Sequence, residues 1–474
     1  MDEQKRHKFG LIPLIALTVG TMIGGGAFAL PQNLAAHASV GAVLLGWIIT
    51  GIGMFGLAFV FRNLSHARPD LQNGIYSYAK TGFGRYIGFN SAWGYWLSAW
   101  IGNVSYAVLL FSAIGYFFPI FGNGNTLYAI IGSSIFLWCF HFLILRGVKQ
   151  AAFVNVVTTI AKLVPIVLFI VLVIVFFHIK QFTFNFWGGH SLDLGSVFTQ
   201  VKSTMLVTLW VFIGIEGATV ESSRAKNQSD VGRATIIGLV TALVIYALIS
   251  LLSFGIVPQS VLAHAKNPSM AFVLQHVVGD WGAAVVNIGL IVSLFGAWLG
   301  WTLLCVQLPY DAAVDHAMPA IFGKENKHRS PANALWLSNG LIQLFLIITL
   351  FSHSTYLMLI ELATSCILLP YLFSALFALK VGFSKKQDAM AVKLSMTANV
   401  AAIVATVYAV WLLYAAGIHF LFLSSILYAV GILFFWRARA EQKEKVFTKW
   451  EWVLAGFIFV LAIVAILDLA GLLT

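Results

Sequence analysis

Long apolar segments recur along almost the whole chain, and they constrain its fold more than any other feature. A membrane-spanning helix needs about 20 mostly apolar residues. Only 9% of these 474 residues are charged, whereas soluble proteins carry about 25%. The chain is therefore predicted to be an all-α polytopic membrane protein with about 13 transmembrane helices. The predicted spans lie at roughly 10–36, 40–61, 86–118, 126–145, 151–178, 197–221, 233–256, 283–310, 333–352, 355–380, 394–416, 418–436 and 447–472.

The basic residues predict the direction in which the chain crosses the membrane. With a cytoplasmic N-terminus, only Lys180 and Lys266 of the 28 Lys and Arg residues fall in outer loops, and Lys162 and Lys202 fall inside spans. This asymmetry follows the positive-inside rule. We therefore expect a multi-pass protein of the cell inner (plasma) membrane with a cytoplasmic N-terminus. The asymmetry also explains the net charge of +11 without nucleic acid as a partner.

Three polar connections between the spans are long enough to fold. Residues 62–85 and 311–331 on the inner side, and 257–281 on the outer side, are expected to hold short surface helices. The three cysteines lie inside apolar runs without zinc-site or disulfide spacing, so we interpret them as packing residues. No metal, cofactor or catalytic residue is predicted.

Two spans carry glycines that favour an interruption of the helix. Gly24, Gly25 and Gly26 follow one another in the first span, and each glycine costs a helix about 1 kcal/mol relative to alanine. In the sixth span Gly214 and Gly217 occupy a similar position. Unwound backbone at membrane depth is tolerated where it lines a cavity, and its amides suit a substrate carboxylate. The alternative is close helix packing through small residues.

The sixth span holds three further candidates. Glu216 is a carboxylate deep in an apolar run, which favours proton sensing or gating; its alternative role is a hydrogen bond between helices. Trp210 and Ile213 can share one face of the half-helix that precedes the interruption. We expect Trp210 to form an aromatic lid, with ordinary packing as the alternative.

Three side chains in other spans are candidates for contact with a substrate. Asn103 is a lone amide in the third span, suited equally to a ligand or to a neighbouring helix. Small residues beside Trp301 would leave its ring face open to a cation. Glu361 lies in the outer half of the tenth span, where a cationic substrate would meet it, and the alternative is a buried ion pair.

Lys162 is a single charge in the fifth span. A buried lysine must find partners or lose its proton. In a transporter with interrupted helices, its ammonium can take the place of a coupling sodium ion and bind the unwound carbonyls. A static structural cation is the alternative.

Other classes of function are less consistent with the sequence. A channel needs a continuous polar pathway or a charged ring, and too few intramembrane charges are present to form one. An enzyme is not expected, because the zinc-protease pattern HExxH and the hydrolase pattern GxSxG are both absent. A nutrient sensor would need a soluble signalling domain, for which this length leaves no room.

Five motifs, in order along spans one to ten, resemble those of the amino acid-polyamine-organocation (APC) superfamily. The chain resembles in particular the basic amino acid/polyamine antiporters, among them the arginine/ornithine antiporters. The motifs are GTMIGGGAFALPQNLA at 20–35, YWLSAWIGN at 95–103, VTLWVFIGIE at 207–216, GWTLL at 300–304 and LPYL at 369–372.

The resemblance implies a five-plus-five inverted-repeat core with broken helices 1 and 6. The core would occupy residues 1–380, with three additional helices at 381–474. The substrate would lie at mid-membrane and be exchanged by alternating access. The implied substrate contacts come from Gly24, Gly25, Gly26, Asn103, Trp210, Ile213, Trp301 and Glu361, and the implied gating or coupling groups are Tyr95, Glu216 and Lys162.

The implied function is antiport of a basic amino acid, arginine, for ornithine. Arginine/agmatine relatives have serine at the positions of Gly25 and Ala363, so two hydroxyl groups are missing here and agmatine is a weaker expectation. Exchange of lysine for cadaverine or histidine for histamine, and proton-coupled symport of a basic amino acid, stay open as alternatives. The expected partners are small amino acids and amines, membrane lipid and a second copy of the chain in a homodimer.

Overall fold

The structure, a computed structural model, describes residues 10–68, 70–71, 74–147, 152–189, 192–215, 228–352, 355–384 and 395–472. Throughout these residues the chain forms helices and no strands. Each predicted span coincides with a helix or with part of one, so the prediction of an all-α polytopic membrane protein is confirmed. The helices in the spans are Leu11–Met22, Leu30–Ala35, Val40–Ala67, Arg85–Phe117, Leu127–Leu145, Ala152–Val175, Leu194–Trp210, Gln228–Ser253, Asp280–Val314, Ala332–Ser352, Tyr356–Phe383, Met396–Glu441 and Lys449–Leu469.

Ten of the described helices are long and apolar enough to cross a membrane. The first and sixth spans fall short of that length because their helices are interrupted. The eleventh and twelfth spans follow each other directly within Met396–Glu441, where two helices meet at a kink. The kink lies at Gly417, where the backbone leaves the helical region (φ 75°, ψ 163°) and the first helix ends.

The polar connections contain short helices, largely as predicted. Ile75–Phe83 lies within 62–85, and both Gln259–Leu262 and Ser269–Val278 lie within 257–281. The connection 311–331 holds only the 3-10 turn Ala320–Gly323, since the eighth span continues to Val314. Elsewhere Ile179–Thr183 is a short helix and Pro119–Phe121 a 3-10 turn.

The two predicted inner connections are fastened to one another. The Tyr76 hydroxyl and the Lys80 ammonium, one helical turn apart on Ile75–Phe83, both donate to the carboxylate of Asp315. Burial and this carboxylate raise the pKa of the Tyr76 hydroxyl, so it stays protonated as a donor.

The chain divides into two compact units. Helices five spans apart fall in the same unit: the first with the sixth, the second with the seventh, the third with the larger part of the eighth, and the fourth with the ninth. This is the pairing expected of a five-plus-five repeat. The first unit comprises Met1–Gly74, Thr159–Ser293 and Ser374–Trp411, and the second comprises Ile75–Thr158, Leu294–Phe373 and Leu412–Thr474.

The thirteenth span begins at a helix cap that also reaches the third span. Thr448 and Glu451 form a capping box, in which the Glu451 carboxylate accepts from the Thr448 backbone at 2.8 Å and its hydroxyl at 2.9 Å. The other carboxylate oxygen of Glu451 accepts from the backbone N–H of Tyr86 at 3.3 Å, in the first turn of Arg85–Phe117. One buried carboxylate therefore satisfies amides at two helix N-termini in the second unit.

Candidate functional site

The first span is interrupted where the sequence predicts it. The helix Leu11–Met22 ends, Ile23 and Gly24 are extended, and a 3-10 turn runs from Gly25 to Ala29. Gly25 and Gly26 are buried, and no side chain caps the start of this turn. The first backbone N–H groups of a helical turn have no partner within it. The interruption therefore places buried backbone amides within a membrane span.

The sixth span loses its helical form close to the predicted position. Leu194–Trp210 ends at Trp210, four residues before Gly214, and tight turns continue to residue 215. Gly214 has φ 106°, a left-handed conformation that side chains rarely adopt. Ile213 is buried, and its N–H donates to the Trp210 carbonyl at 3.2 Å. Glu216 and Gly217 lie outside the described residues.

The two interruptions meet within the first unit. A Cβ atom added to Gly26 would lie 3.0 Å from Nε1 of Trp210 and 3.2 Å from a methyl carbon of Val211. Such distances are tighter than most Cβ contacts, so a side chain at this position would require the indole ring to move by a few tenths of an ångström. The structure therefore brings together two groups of candidates that are far apart in the sequence, the glycine triplet and Trp210.

Tyr246, in the seventh span, joins the two interruptions and was not among the predicted residues. Its hydroxyl oxygen lies 2.7 Å from the carbonyl oxygen of Met22 and 2.9 Å from that of Val211. The two carbonyls lie at the C-terminal ends of the helices in the first and sixth spans. The last carbonyls of a helix have no backbone N–H partner within that helix. The hydroxyl group of one fully buried tyrosine thus lies between both interruptions, and its single proton can be donated to either carbonyl.

The second span holds the Tyr246 ring in place. Trp47 stacks against it with ring centroids 6.1 Å apart, and the Trp47 indole N–H donates to the Ser250 hydroxyl at 2.8 Å. Phe212 packs edge-on against both Tyr246 and Trp47, with 5.3 Å and 6.4 Å between ring centroids. Little in the sequence predicts this arrangement, apart from a tyrosine in the middle of an apolar span.

Lys162 reaches the interruption of the first span from the fifth span. Its ammonium donates to the carbonyl oxygen of Gly20 and is buried. In an unbroken helix that carbonyl would accept from the N–H of Gly24, which here donates to Met22 instead, at 2.9 Å. Lys162 therefore supplies the partner that the interruption removed, with a positive charge at the negative end of a half-helix.

Asn103 is fully buried in the third span. Within the described part of the chain, neither its amide nitrogen nor its carbonyl oxygen has a hydrogen-bond partner. An unpartnered buried amide costs folding free energy of about 1–3 kcal/mol. A polar ligand that accepts and donates at this position would remove that cost.

The remaining candidates also belong to the second unit. Tyr95 and Glu361 are buried, whereas Trp301 is half-buried. Trp298, one helical turn before Trp301, is fully buried and packs edge-on against Phe140, with 5.6 Å between ring centroids. Of these two tryptophans of the eighth span, Trp301 is thus the one with accessible ring surface.

The first unit has the chemistry of a binding site for a zwitterion. Gly25 and Gly26 begin a buried turn whose amides suit a carboxylate, and carbonyls at helix ends suit an ammonium group. The Lys162 ammonium adds a positive charge that is hydrogen-bonded to the carbonyl of Gly20. No covalent chemistry is needed for these groups to act.

Comparison with known proteins places this geometry in a family. Residues 9–421 match the family model described as amino acid permease. The chain is 50% identical to an arginine/ornithine antiporter of Pseudomonas aeruginosa, with 98% of each chain covered. It is 45% identical to a putative arginine/ornithine antiporter of Escherichia coli K12, covering 98% of this chain and 99% of the relative. It is also 45% identical to an arginine/agmatine antiporter of Chlamydia felis, covering 97% and 96%. With interrupted first and sixth spans, a family match over most of its length and relatives of this similarity, the chain belongs to the amino acid permease family of the APC superfamily.

Proposed function

We propose that this protein is an antiporter that exchanges arginine for ornithine across the membrane by alternating access. The observation that carries the proposal is the meeting of the two interrupted spans at Gly26, Trp210 and Tyr246, beside buried backbone amides. This arrangement suits the α-carboxylate and α-amino group that arginine and ornithine share. The names of the relatives supply the substrate pair.

Each candidate residue has a role in this proposal. The backbone of Gly24, Gly25, Gly26 and Ile213 binds the α-carboxylate and α-amino groups, and Trp210 covers them. Asn103, Trp301 and Glu361 recognise the cationic side chain of the substrate; the unpartnered amide of Asn103 and the accessible ring of Trp301 support this assignment. Tyr95 and Glu216 act in gating, and Lys162 replaces a coupling sodium ion.

The placement of the protein in the cell is part of the same proposal. The N-terminus is cytoplasmic and the membrane is the inner (plasma) membrane, as the distribution of Lys and Arg supports. Residues 1–380 form the transport core, and the three helices of 381–474 are additional. A homodimer is the proposed assembly.

Uptake into proteoliposomes tests the proposed function. Purified protein is reconstituted into vesicles that are empty or loaded with ornithine, agmatine, lysine, cadaverine, histidine or histamine, and uptake of radiolabelled arginine is measured. We expect rapid uptake with ornithine inside and little uptake into empty vesicles.

The other outcomes identify the alternatives. Faster uptake with agmatine than with ornithine would assign the protein to arginine/agmatine exchange, the function named for the Chlamydia felis relative. When the measurement is repeated with radiolabelled lysine or histidine outside, lysine uptake specifically stimulated by internal cadaverine, or histidine uptake by histamine, would indicate those exchangers. Uptake into empty vesicles that follows an imposed pH gradient would make the protein a proton-coupled symporter.

A further inference from the structure

A groove on the second unit lies between the fourth and ninth spans. Its volume is about 600 Å³, and its walls include the exposed side chains of Ile131, Ile135 and Phe142 on one span and Ile347 on the other. From Ile130 to Phe142 the fourth span rises about 18 Å, which is more than half the thickness of the hydrocarbon core. The groove is thus long enough to hold an extended acyl chain along the protein.

Few polar groups of the groove are available for hydrogen bonds to a ligand. The indole N–H of Trp138 donates to the side-chain oxygen of Gln343 at 3.0 Å and so links the two spans. Because this hydrogen bond engages the indole donor, the surface presented along the groove is mostly apolar. Such a surface favours a hydrocarbon chain over a polar solute.

A rigid basic loop lies at the end of the fourth span, one helical turn beyond Phe142. The loop is fastened there by two side chains: Asn326 donates to the carbonyl of Leu145 at 2.8 Å, and Ser330 donates to that of Ile144 at 2.6 Å. These carbonyls belong to the last turn of Leu127–Leu145, where the helix provides no amides of its own.

The same asparagine fixes the shape of the loop. The side-chain oxygen of Asn326 accepts from the backbone N–H groups of His328 at 2.9 Å and Ser330 at 3.1 Å. Arg329 is held in the left-handed region, with φ 56°. Three consecutive basic residues, Lys327, His328 and Arg329, are therefore displayed on a fixed backbone.

The charges of this loop and of the adjoining helix end are available to an anion. Lys327, His328, Arg329 and Arg146 are exposed, and none of them forms an ion pair within the part of the chain that the structure describes. The one nearby carboxylate of the loop, Glu325, accepts a hydrogen bond from the Tyr310 hydroxyl at 2.8 Å. Basic clusters at the ends of spans are typical binding sites for anionic lipid headgroups.

We propose that this groove and the basic loop together bind one anionic phospholipid from the adjoining leaflet. An acyl chain lies between the fourth and ninth spans, and the phosphodiester contacts Arg146, Lys327 and Arg329. The combination of a long apolar groove with a fixed cationic cluster at its end selects an anionic lipid over a zwitterionic one, because the chain and the headgroup must both fit.

Cys139 provides a native probe of the groove. It lines the groove and is exposed, whereas Cys305 and Cys366 are fully buried. The rate of Cys139 modification by a maleimide is measured on the purified full chain in a neutral detergent, with added dioleoyl phosphatidylglycerol or dioleoyl phosphatidylcholine. Cys139→Ser establishes that the labelled product reports this thiol.

We expect phosphatidylglycerol to slow the modification about threefold when its concentration is twice its dissociation constant, with little effect of phosphatidylcholine. The triple substitution Arg146→Gln, Lys327→Gln, Arg329→Gln should remove that difference while arginine transport is retained. A matched control, Lys443→Gln, Lys445→Gln, Lys449→Gln, removes the same number of exposed charges elsewhere and should keep it.

Three results would overturn the proposal. Equal protection by both lipids would exclude selection by charge, and loss of protection in both triple variants would indicate a general effect of net charge. Equal protection by glycerol phosphate, which has a phosphate but no acyl chain, would show that the groove is not occupied by lipid.

Discussion

Lys162 shows which properties of a single residue can be predicted from the sequence and which cannot. Its charge in an apolar span is plain from the sequence, and the structure gives it a helix-end partner, the carbonyl of Gly20. The identity of that partner could not be predicted, because the carbonyl becomes available only when the N–H of Gly24 turns to Met22. Interrupting a helix frees backbone carbonyl oxygens as hydrogen-bond acceptors, and the pattern of residue types does not show which ones.

We expect Lys162→Met to impair transport more than folding. The substitution removes a hydrogen bond from a charged donor, worth about 1.5–3 kcal/mol, which corresponds to a loss of roughly tenfold to 100-fold in exchange rate if the bond is needed in the transport cycle. Exchange in proteoliposomes and elution of the detergent-solubilised protein in gel filtration are the measurements. Lys202→Met, a half-buried lysine of the sixth span, is the control and should transport normally. Aggregated Lys162→Met protein would favour a purely structural cation.

Tyr246 is the residue that sequence reasoning missed. Tyrosines are common in apolar spans, and the role of this one depends on two carbonyls that are distant in sequence from it and from each other. Residue type and spacing therefore do not predict that the Tyr246 hydroxyl lies beside both carbonyls.

Tyr246→Phe should slow exchange about fivefold, because one hydrogen bond of about 1 kcal/mol from the Tyr246 hydroxyl to the interrupted spans is lost while the ring still packs. The initial rate of exchange at saturating and limiting arginine measures this effect. Tyr128→Phe, which alters a tyrosine that is 55% exposed on the fourth span, should leave exchange unchanged. Normal exchange by Tyr246→Phe would mean that the hydroxyl does not support the site.

At the scale of the helix, hydropathy predicts the existence of elements better than their ends. The first span breaks at the predicted glycines, but the sixth helix ends at Trp210, four residues before Gly214. The difference has a physical cause. Trp210 packs against Gly26, and the Val211 carbonyl lies within hydrogen-bond distance of the Tyr246 hydroxyl. Tertiary contacts as well as glycine content therefore determine where the helix stops.

Gly26→Ala tests whether the close approach of the two interrupted spans matters. The added carbon would lie 3.0 Å from the Trp210 indole nitrogen, so the ring must move by a few tenths of an ångström, at a cost of about 1 kcal/mol. We expect exchange to fall about fivefold, and Trp210→Phe in the same chain to restore part of it because the phenyl ring is smaller than the indole. Gly340→Ala, where an added carbon meets no atom within 4 Å, is the control. Full activity of Gly26→Ala would contradict the described contact.

The thirteenth span gives a second prediction at this scale. Glu451→Ala removes the shared cap of the third and thirteenth spans, at a cost of about 1 kcal/mol. The apparent melting temperature in detergent should therefore fall measurably. Glu444→Ala removes an exposed carboxylate that pairs with Arg85 and Arg439, and surface ion pairs contribute little. If both variants melted alike, Glu451 would not be acting as a cap.

At the scale of the whole molecule, the number of spans follows from hydropathy, whereas their grouping does not. Thirteen apolar windows can be counted in the sequence, and each corresponds to a described helix or part of one. That the first, second, sixth and seventh spans pack as one unit depends on side-chain fit between helices. Motif resemblance supplied the expectation of a five-plus-five repeat, which apolar periodicity alone could not.

The central claim about the whole molecule is one-for-one exchange of two cations. Arginine and ornithine each carry one net positive charge at neutral pH, so exchange moves no net charge, whereas uniport of arginine would carry about 2.3 kcal/mol per 100 mV of membrane potential. The most direct measurement follows both substrates in the same vesicles, with ¹⁴C-arginine outside and ³H-ornithine inside. We predict that one ornithine leaves for each arginine that enters, at a rate independent of an imposed potassium diffusion potential. Arginine entry without ornithine exit, or a rate that follows the potential, would contradict the proposed exchange.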